Sequence, residues 1–280
     1  MPDIDPRIHF RILEDIARDL SGDVNFPTCL DAAVIIRDTL RNPMVGLERV
    51  IQVVSIEPLI SSKLLRLANS VIYNPSGKRI SNLTTAISFL GFETVRTTSL
   101  AVAMDQMLKS RSLAVTYKEI ARSAWRHSLR VAAIARVLAR RIGRVAPDEA
   151  MLAGLVQDIG IFYLLFRAAE YDDYRNNQEA VLDLIRGWHA SIGESLLHLL
   201  DLPEHITEAI RNRDWPQNIE MPSSLRDILY FANALARDAG DALPTRPEPA
   251  GEAAVDRERF ADLLDEANED IAELQAVLSA

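Results

Sequence analysis

From Tyr117 to Arg141 the chain repeats apolar residues at helical spacing for about seven turns. Placed about 100° apart, Ile120, Ala124, His127, Val131, Ile134, Leu138 and Ile142 share one face. A stripe of that length must be covered by other helices, because an amphipathic helix draws most of its stability from what packs on it. The same segment carries a second pattern. Between Lys118 and Arg144 stand eight basic residues (Lys118, Arg122, Arg126, Arg130, Arg136, Arg140, Arg141, Arg144) against a single acid, Glu119. They occupy an adjoining arc of roughly 140°. The arginines are therefore expected to point away from the core, and His127 into it.

The remaining sequence repeats the helical logic in shorter pieces. An amphipathic start over about Arg7 to Leu20 stops at Ser21-Gly22-Asp23, and Pro27-Thr28 opens a helix ended by Asn42-Pro43. Helices follow over Gly46–Ser55 and Pro58–Ser70, with Pro58 suited to a first turn. The loop Asn74-Pro75-Ser76-Gly77 comes next. Asn82 then caps a helix to Leu90, Gly91 breaks it, and another runs to about Leu108. After Gly187 the stripe His189, Ile192, Gly193, Leu196, Leu197, Leu200 begins a helix with His189 near its start. Pro203 opens another helix, and Ser223 to about Ala239 forms one more. A Pro-rich loop (Pro244, Pro247, Pro249, Gly251) precedes a last helix striped by Phe260, Leu263, Leu264, Ala267, Ile271, Leu274 and Leu278. That end is acidic, with nine acids between Glu252 and Glu273 against Arg257 and Arg259. It is expected to pack back on its own lobe or to make a dimer or partner contact, and pairing with the basic stripe is one possibility.

Alternating β-type runs are scarce and helix formers dominate, so the expected fold class is all-α. At 280 residues the chain divides into an N-terminal helical lobe (1–113), a second helical lobe (114–241) and the Pro-rich loop with its acidic helix (242–280). Cys29 is the one cysteine, which excludes an intrachain disulfide and fits a reducing compartment; it reads as apolar filler. No signal peptide is evident, and the longest apolar run, Ile159 to Phe166, is far below the roughly 20 residues of a membrane span. A cytoplasmic location is expected. The net charge of −9 disfavours broad contact with nucleic acid or anionic membrane. No basic recognition helix stands near Ser61–Gly91, so neither DNA nor membrane is expected as a partner.

Several motifs occur in a fixed order: Glu57-Pro58-Leu59 followed by Lys63-Leu64-Leu65-Arg66-Leu67-Ala68-Asn69-Ser70; Ile80-Ser81-Asn82-Leu83, Ala86-Ile87, Leu90-Gly91, Val95-Arg96; Trp125-Arg126-His127-Ser128; Ala153 to Gly160; and His189, Gly193, Leu202-Pro203-Glu204. Over roughly Phe26 to Ala239 this series resembles the HDOD domain. The resemblance implies an N-terminal helical lobe packed on a lobe shaped like HD-superfamily phosphohydrolases. It also implies a role in bacterial signal transduction, often beside receiver or cyclic-dinucleotide domains, as in response regulators. No receiver-type alternation of strands and helices is present in this sequence.

HD-superfamily members hold metal with His, His-Asp and Asp. Carried over position by position, His127 matches the first His and Asp158 the doublet Asp. Gln157 replaces the doublet His, Asn233 stands at the last Asp, His189 matches an accessory His, and Arg213-Asp214 stands where many relatives show two histidines. Gln and Asn are weaker donors, and a cation near Arg213 meets repulsion. These positions therefore read as a vestigial site, with no metal, cofactor or catalytic residue expected. His127, with Asp158 as its candidate partner, and His189 read as hydrogen-bonded core histidines, while His9, His198 and His205 carry no signal. Lys63, Arg66 and Asn69, with Arg122, Arg126 and Arg130, form a candidate interaction set; against this, Asn69 can simply close its helix and the two cations lie in solvent. The expected function is a non-catalytic signalling module that binds a kinase, a receiver domain or a cyclic-dinucleotide enzyme, or forms a homodimer. The alternative is a metal-dependent phosphohydrolase acting on nucleotides through His127, Asp158 and His189.

Overall fold

In the computed structural model the described residues are 6–21, 28–109, 115–142, 144–175, 177–214, 221–237 and 258–278. Among them the secondary structure is helical throughout, with no strand. In chain order α1 (Pro6–Ser21), which packs on the second lobe, is followed by α2 (Thr28–Leu40), α3 (Leu47–Ser55), α4 (Pro58–Ala68) and α5 (Leu83–Lys109), which pack together as the first lobe. The second comprises α6 (Val115–Ile142), α7 (Pro147–Val156), α8 (Ile159–Ala168), α9 (Asp172–Arg175), α10 (Gln178–Leu199), α11 (Glu204–Arg211) and α12 (Leu225–Ala236). A 3-10 turn over Glu258–Phe260 leads into α13 (Ala261–Leu278). The lobe boundary drawn at 113/114, the Pro-rich loop from 242 and the side chain of Cys29 lie outside the described residues.

In the first lobe α2, α3 and α4 close on α5. Val50, Val54, Ile60, Leu64 and Ile87 are its buried centre. Pro58 occupies the first turn of α4, and Asn82 caps α5 through a 2.8 Å bond from the Thr85 amide to its Oδ1. Gly91 kinks α5 at φ +80°, a left-handed conformation that an L side chain rarely adopts.

In the second lobe α6 is the hub, with α7, α12 and α13 packed against it and α8 packed on α10. The run Pro147–Ala168 is apolar and long enough to cross a membrane by length and composition, yet 89% of its most apolar window is buried inside the protein. The lobes meet where α5 lies against α7 and α8. Polar ties add to this joint: Arg37 donates to the Leu199 carbonyl, and Arg41 Nε and Nη2 bind the Asp201 carboxylate at 2.7 and 3.0 Å.

Two expectations are corrected. α10 runs straight through Gly187, so His189 lies in mid-helix rather than at a start. One glycine costs only about 1 kcal/mol in a helix interior, and Val181, Leu184 and Ile185 carry the buried face of α10 across it to Ile192 and Leu196. The arginines of α6 do not all face away from the core. Arg136 is buried, with Nη1 3.2 Å from Asp270 of α13 and its guanidinium 5.0 Å from the Tyr73 ring centre. The cause is α13, which folds back along α6 and turns part of the basic arc into an interior face.

Candidate functional site

The Gln157–Asp158 doublet sits in the turn between α7 and α8, where the backbone of Asp158 leaves the helix (φ −108°, ψ 16°) and its carbonyl restarts it by accepting from the Ile161 amide at 2.9 Å. Two glycines make this placement possible. A Cβ on Gly154 would lie 2.8 Å from Ala132 Cα, so only a bare backbone lets α7 reach α6. A Cβ on Gly160 would lie 2.0 Å from the His189 carbonyl oxygen, so α8 and α10 touch main chain to main chain. On the opposite side Ser224 and Asp227 form a capping box that starts α12. Asn233 then projects from its third turn.

These elements bring His127, Gln157 and Asn233 into contact, all at 4% exposure or less. Asn233 Nδ2 donates to the Leu229 carbonyl at 2.8 Å, and because that oxygen can only accept, the amide has one orientation. Nδ2 also donates to Gln157 Oε1 at 2.8 Å, while Gln157 Nε2 donates back to Asn233 Oδ1 at 3.1 Å. His127 Nε2, 3.1 Å from the same Oδ1, must then be protonated and donating. Every hydrogen-bonding direction of the Asn233 amide thus has a protein partner. Asp158 is 1% exposed and faces Arg213, with Nη2 to Oδ1 at 3.4 Å; Arg213 is also buried and donates from Nη1 to the Ile210 carbonyl at 2.9 Å. His189 is half-buried and its Nδ1 is 2.8 Å from the Ile185 carbonyl, which fixes Nδ1 as the protonated nitrogen.

This arrangement does not fit a divalent metal. A ligand set must aim lone pairs at one point. Here the Asn233 and Gln157 oxygens accept from each other's amide, the His127 nitrogen facing Asn233 carries a proton, and the carboxylate nearest to them has a guanidinium beside it. Among the described residues no three His, Cys, Asp or Glu side chains form a metal-binding group.

The other candidate residues lie apart from this cluster. Asn69 closes α4: its Nδ2 donates to the carbonyls of Leu65 and Ile80, and its Oδ1 accepts from the Ile80 amide at 2.8 Å. Arg66 is exposed as expected, whereas Lys63 is not in solvent. Lys63 is 1% exposed, and its Nζ donates to the carbonyls of Val277 and Leu278 at 3.1 and 2.6 Å. Arg66 Nη2 donates to the Ala276 carbonyl at 2.8 Å. Both cations therefore serve the end of α13, where a helix leaves its last carbonyls without internal partners. No local pattern in the sequence announces this, since the partners are more than two hundred residues away. On α6, Arg122 and Arg126 are exposed and Arg130 is half-buried, and Arg122 lies 3.2 Å from Glu119. His198 lies near Glu194 and Glu204, His205 near Glu149, and His9 bonds the Tyr174 hydroxyl at 2.8 Å.

Residues 26–216 match the HDOD domain family. An uncharacterised protein of Treponema pallidum (strain Nichols) is 26% identical over 217 residues, which cover 72% of this chain and 40% of that protein. The chain thus spans less than half the length of this relative. Among solved structures, a protein from Shewanella amazonensis SB2B provisionally assigned as a metal-dependent phosphohydrolase superposes with a TM-score of 0.67 at 22% identity, covering 95% of this chain and 98% of the other. An HDOD domain protein of unknown function from Geobacter sulfurreducens gives 0.59 at 19% identity, covering 98% and 99%. At these identities the likeness is one of fold: all-α, with an HD-like second lobe. With the match spanning most of its length, the chain belongs to the HDOD family.

Proposed function

We propose that this protein is a non-catalytic signalling module that acts by binding another protein, and that its HD-type centre has become a structural polar network. The observation that carries this reading is the saturated Asn233 amide, bonded to both Gln157 and His127. Hydrolysis at such a centre requires a metal-bound water with its pKa drawn down to about 7. Here Asn233, Gln157 and His127 Nε2 bind one another instead, and Asp158 faces Arg213. Arg213, buried beside Asp158, neutralises the carboxylate charge that would otherwise draw a cation there. A kinase, a receiver domain or a cyclic-dinucleotide enzyme is the kind of partner this reading assigns, in a reducing, cytoplasmic setting.

The test combines elemental analysis for Mn, Fe and Zn with a screen of nucleotide phosphodiester hydrolysis on one preparation. Substoichiometric metal and no turnover are expected. Stoichiometric metal with turnover that disappears in His127→Ala would establish the phosphohydrolase reading instead. The Gln157→His/Asn233→Asp double variant should raise metal uptake above the parent, because it returns two donors to the shell.

A further inference from the structure

The residues that grip α13 belong to the family-matched part of the chain, 26–216, whereas α13 does not. Its C-terminal carbonyls are held by Lys63 and Arg66 of the α4 motif. Glu273 accepts from the amides of Val71 and Ile72. Asp270 meets Arg136, and Glu266 meets Arg140 and Arg141, the latter through Nε and Nη2 at 3.0 and 2.8 Å. Between these anchors Leu274 and Leu278 fill an apolar groove floored by Leu67, Ala101, Leu129 and Leu155. The acids at 266, 270 and 273 follow the i, i+4, i+7 spacing of one helix face, and each meets a donor on the groove wall. The fit is one of charge as well as shape.

The attachment carries an electrostatic cost as well as a gain. Docking takes Lys63 and Asp270 out of water: burial lowers the Lys63 ammonium below its usual range, and burial outweighs Arg136 in pushing the Asp270 carboxyl up. Desolvating charge in this way offsets much of what the contact gains. The Arg140, Arg141 and Glu266 side chains remain between 30% and 46% exposed, so those pairs are screened by salt.

We propose that the groove between α4, α5 and α6 is a receptor for an acidic amphipathic helix, that α13 occupies it in cis, and that a partner protein presenting such a helix displaces α13. This deepens the protein-binding reading and rests on it. The partner helix is specified by chemistry: leucines at the 274 and 278 positions, carboxylates at the 266, 270 and 273 positions, and main-chain carbonyls for Lys63.

The experiment titrates a fluorescein-labelled peptide of residues 258–280 into the full chain by anisotropy. A Glu266→Gln/Glu273→Gln full chain, whose own helix is loosened, should bind the peptide at least tenfold more tightly than the parent. Adding Arg140→Glu and Arg141→Glu should remove that binding, and a peptide carrying Glu266→Arg should restore it. Equal affinity for parent and loosened chain, or a loss of helical signal in the loosened chain greater than the 18 residues of α13 account for, overturns the proposal, because either makes α13 an integral part of the core. Hydrogen exchange on the unaltered chain gives a second check. α13 amides should exchange at least a hundredfold faster than those of α8, and equal protection counts against displacement. Peptide binding by a metal-loaded, active preparation would keep the groove and remove the non-catalytic reading; an inactive, metal-free chain that fails to bind peptide would do the reverse.

Discussion

Asn233 shows how one amide can decide the character of a site. Its Oδ1 accepts two bonds and its Nδ2 donates two, so a carboxylate of the same shape cannot replace it without loss. Asn233→Asp alone would set a second acceptor against the Leu229 carbonyl and against Gln157 Oε1. A buried group left without its partner costs about 1–3 kcal/mol, so the variant should lose about 2–4 kcal/mol of stability in urea unfolding, with no gain in bound metal. A variant as stable as the parent would mean that the Asn233–Gln157 pair is not formed. The identities of Gln157 and Asn233 pointed to a depleted ligand set before any fold was known. That the two side chains bind each other depends on α12 lying across the α7–α8 turn, which no spacing in the chain encodes.

At the scale of elements, close main-chain contact sets where the doublet sits. Gly160 lets α8 meet α10 where any side chain would collide with the His189 carbonyl. Overpacking in a well-filled core costs about 1–3 kcal/mol, and a clash with main chain belongs at the upper end of that range. Gly160→Ala should therefore lose about 3 kcal/mol or fail to fold, whereas Gly187→Ala, with open space around it, should raise thermal stability slightly. The pair can be compared by thermal melts, and equal effects would refute the close approach. The helix start at Pro58, the one placed at Ser223 within a residue of the observed Ser224 cap, and the break at Gly91 were legible as punctuation, since each rests on local backbone chemistry. The continuity of α10 through Gly187 was not, because long-range packing on α8 overrode a weak local signal.

For the whole molecule, the two lobes are tied through the Arg41–Asp201 pair and the Arg37–Leu199 contact. The hydrogen bonds from Arg41 hold the Asp201 carboxyl below its usual value. A carboxyl depressed in the folded state contributes stability that is complete above its unfolded pKa, about 3.9, and is lost as pH falls through the folded value. Stability should accordingly drop as pH descends below about 4, and Asp201→Asn should flatten part of that slope while lowering stability at neutral pH. Urea midpoints between pH 5 and pH 2.5, taken on parent and variant with the flanking pH values as controls, would check this; parallel curves would exclude Asp201 from the acid response.

Periodicity, punctuation and residue identity, read in order along the chain, were enough to specify helices throughout, a central stripe on α6, the HDOD motif series and the weakened donors at 157 and 233. Those are consequences of local chemistry, in which each residue meets neighbours a turn or two away. Only the folded arrangement decided that Arg136 is interior, that Lys63 and Arg66 hold the end of α13, and that Arg213 stands beside Asp158. These pairings join residues 55 to 215 positions apart, and their existence depends on which helices pack together.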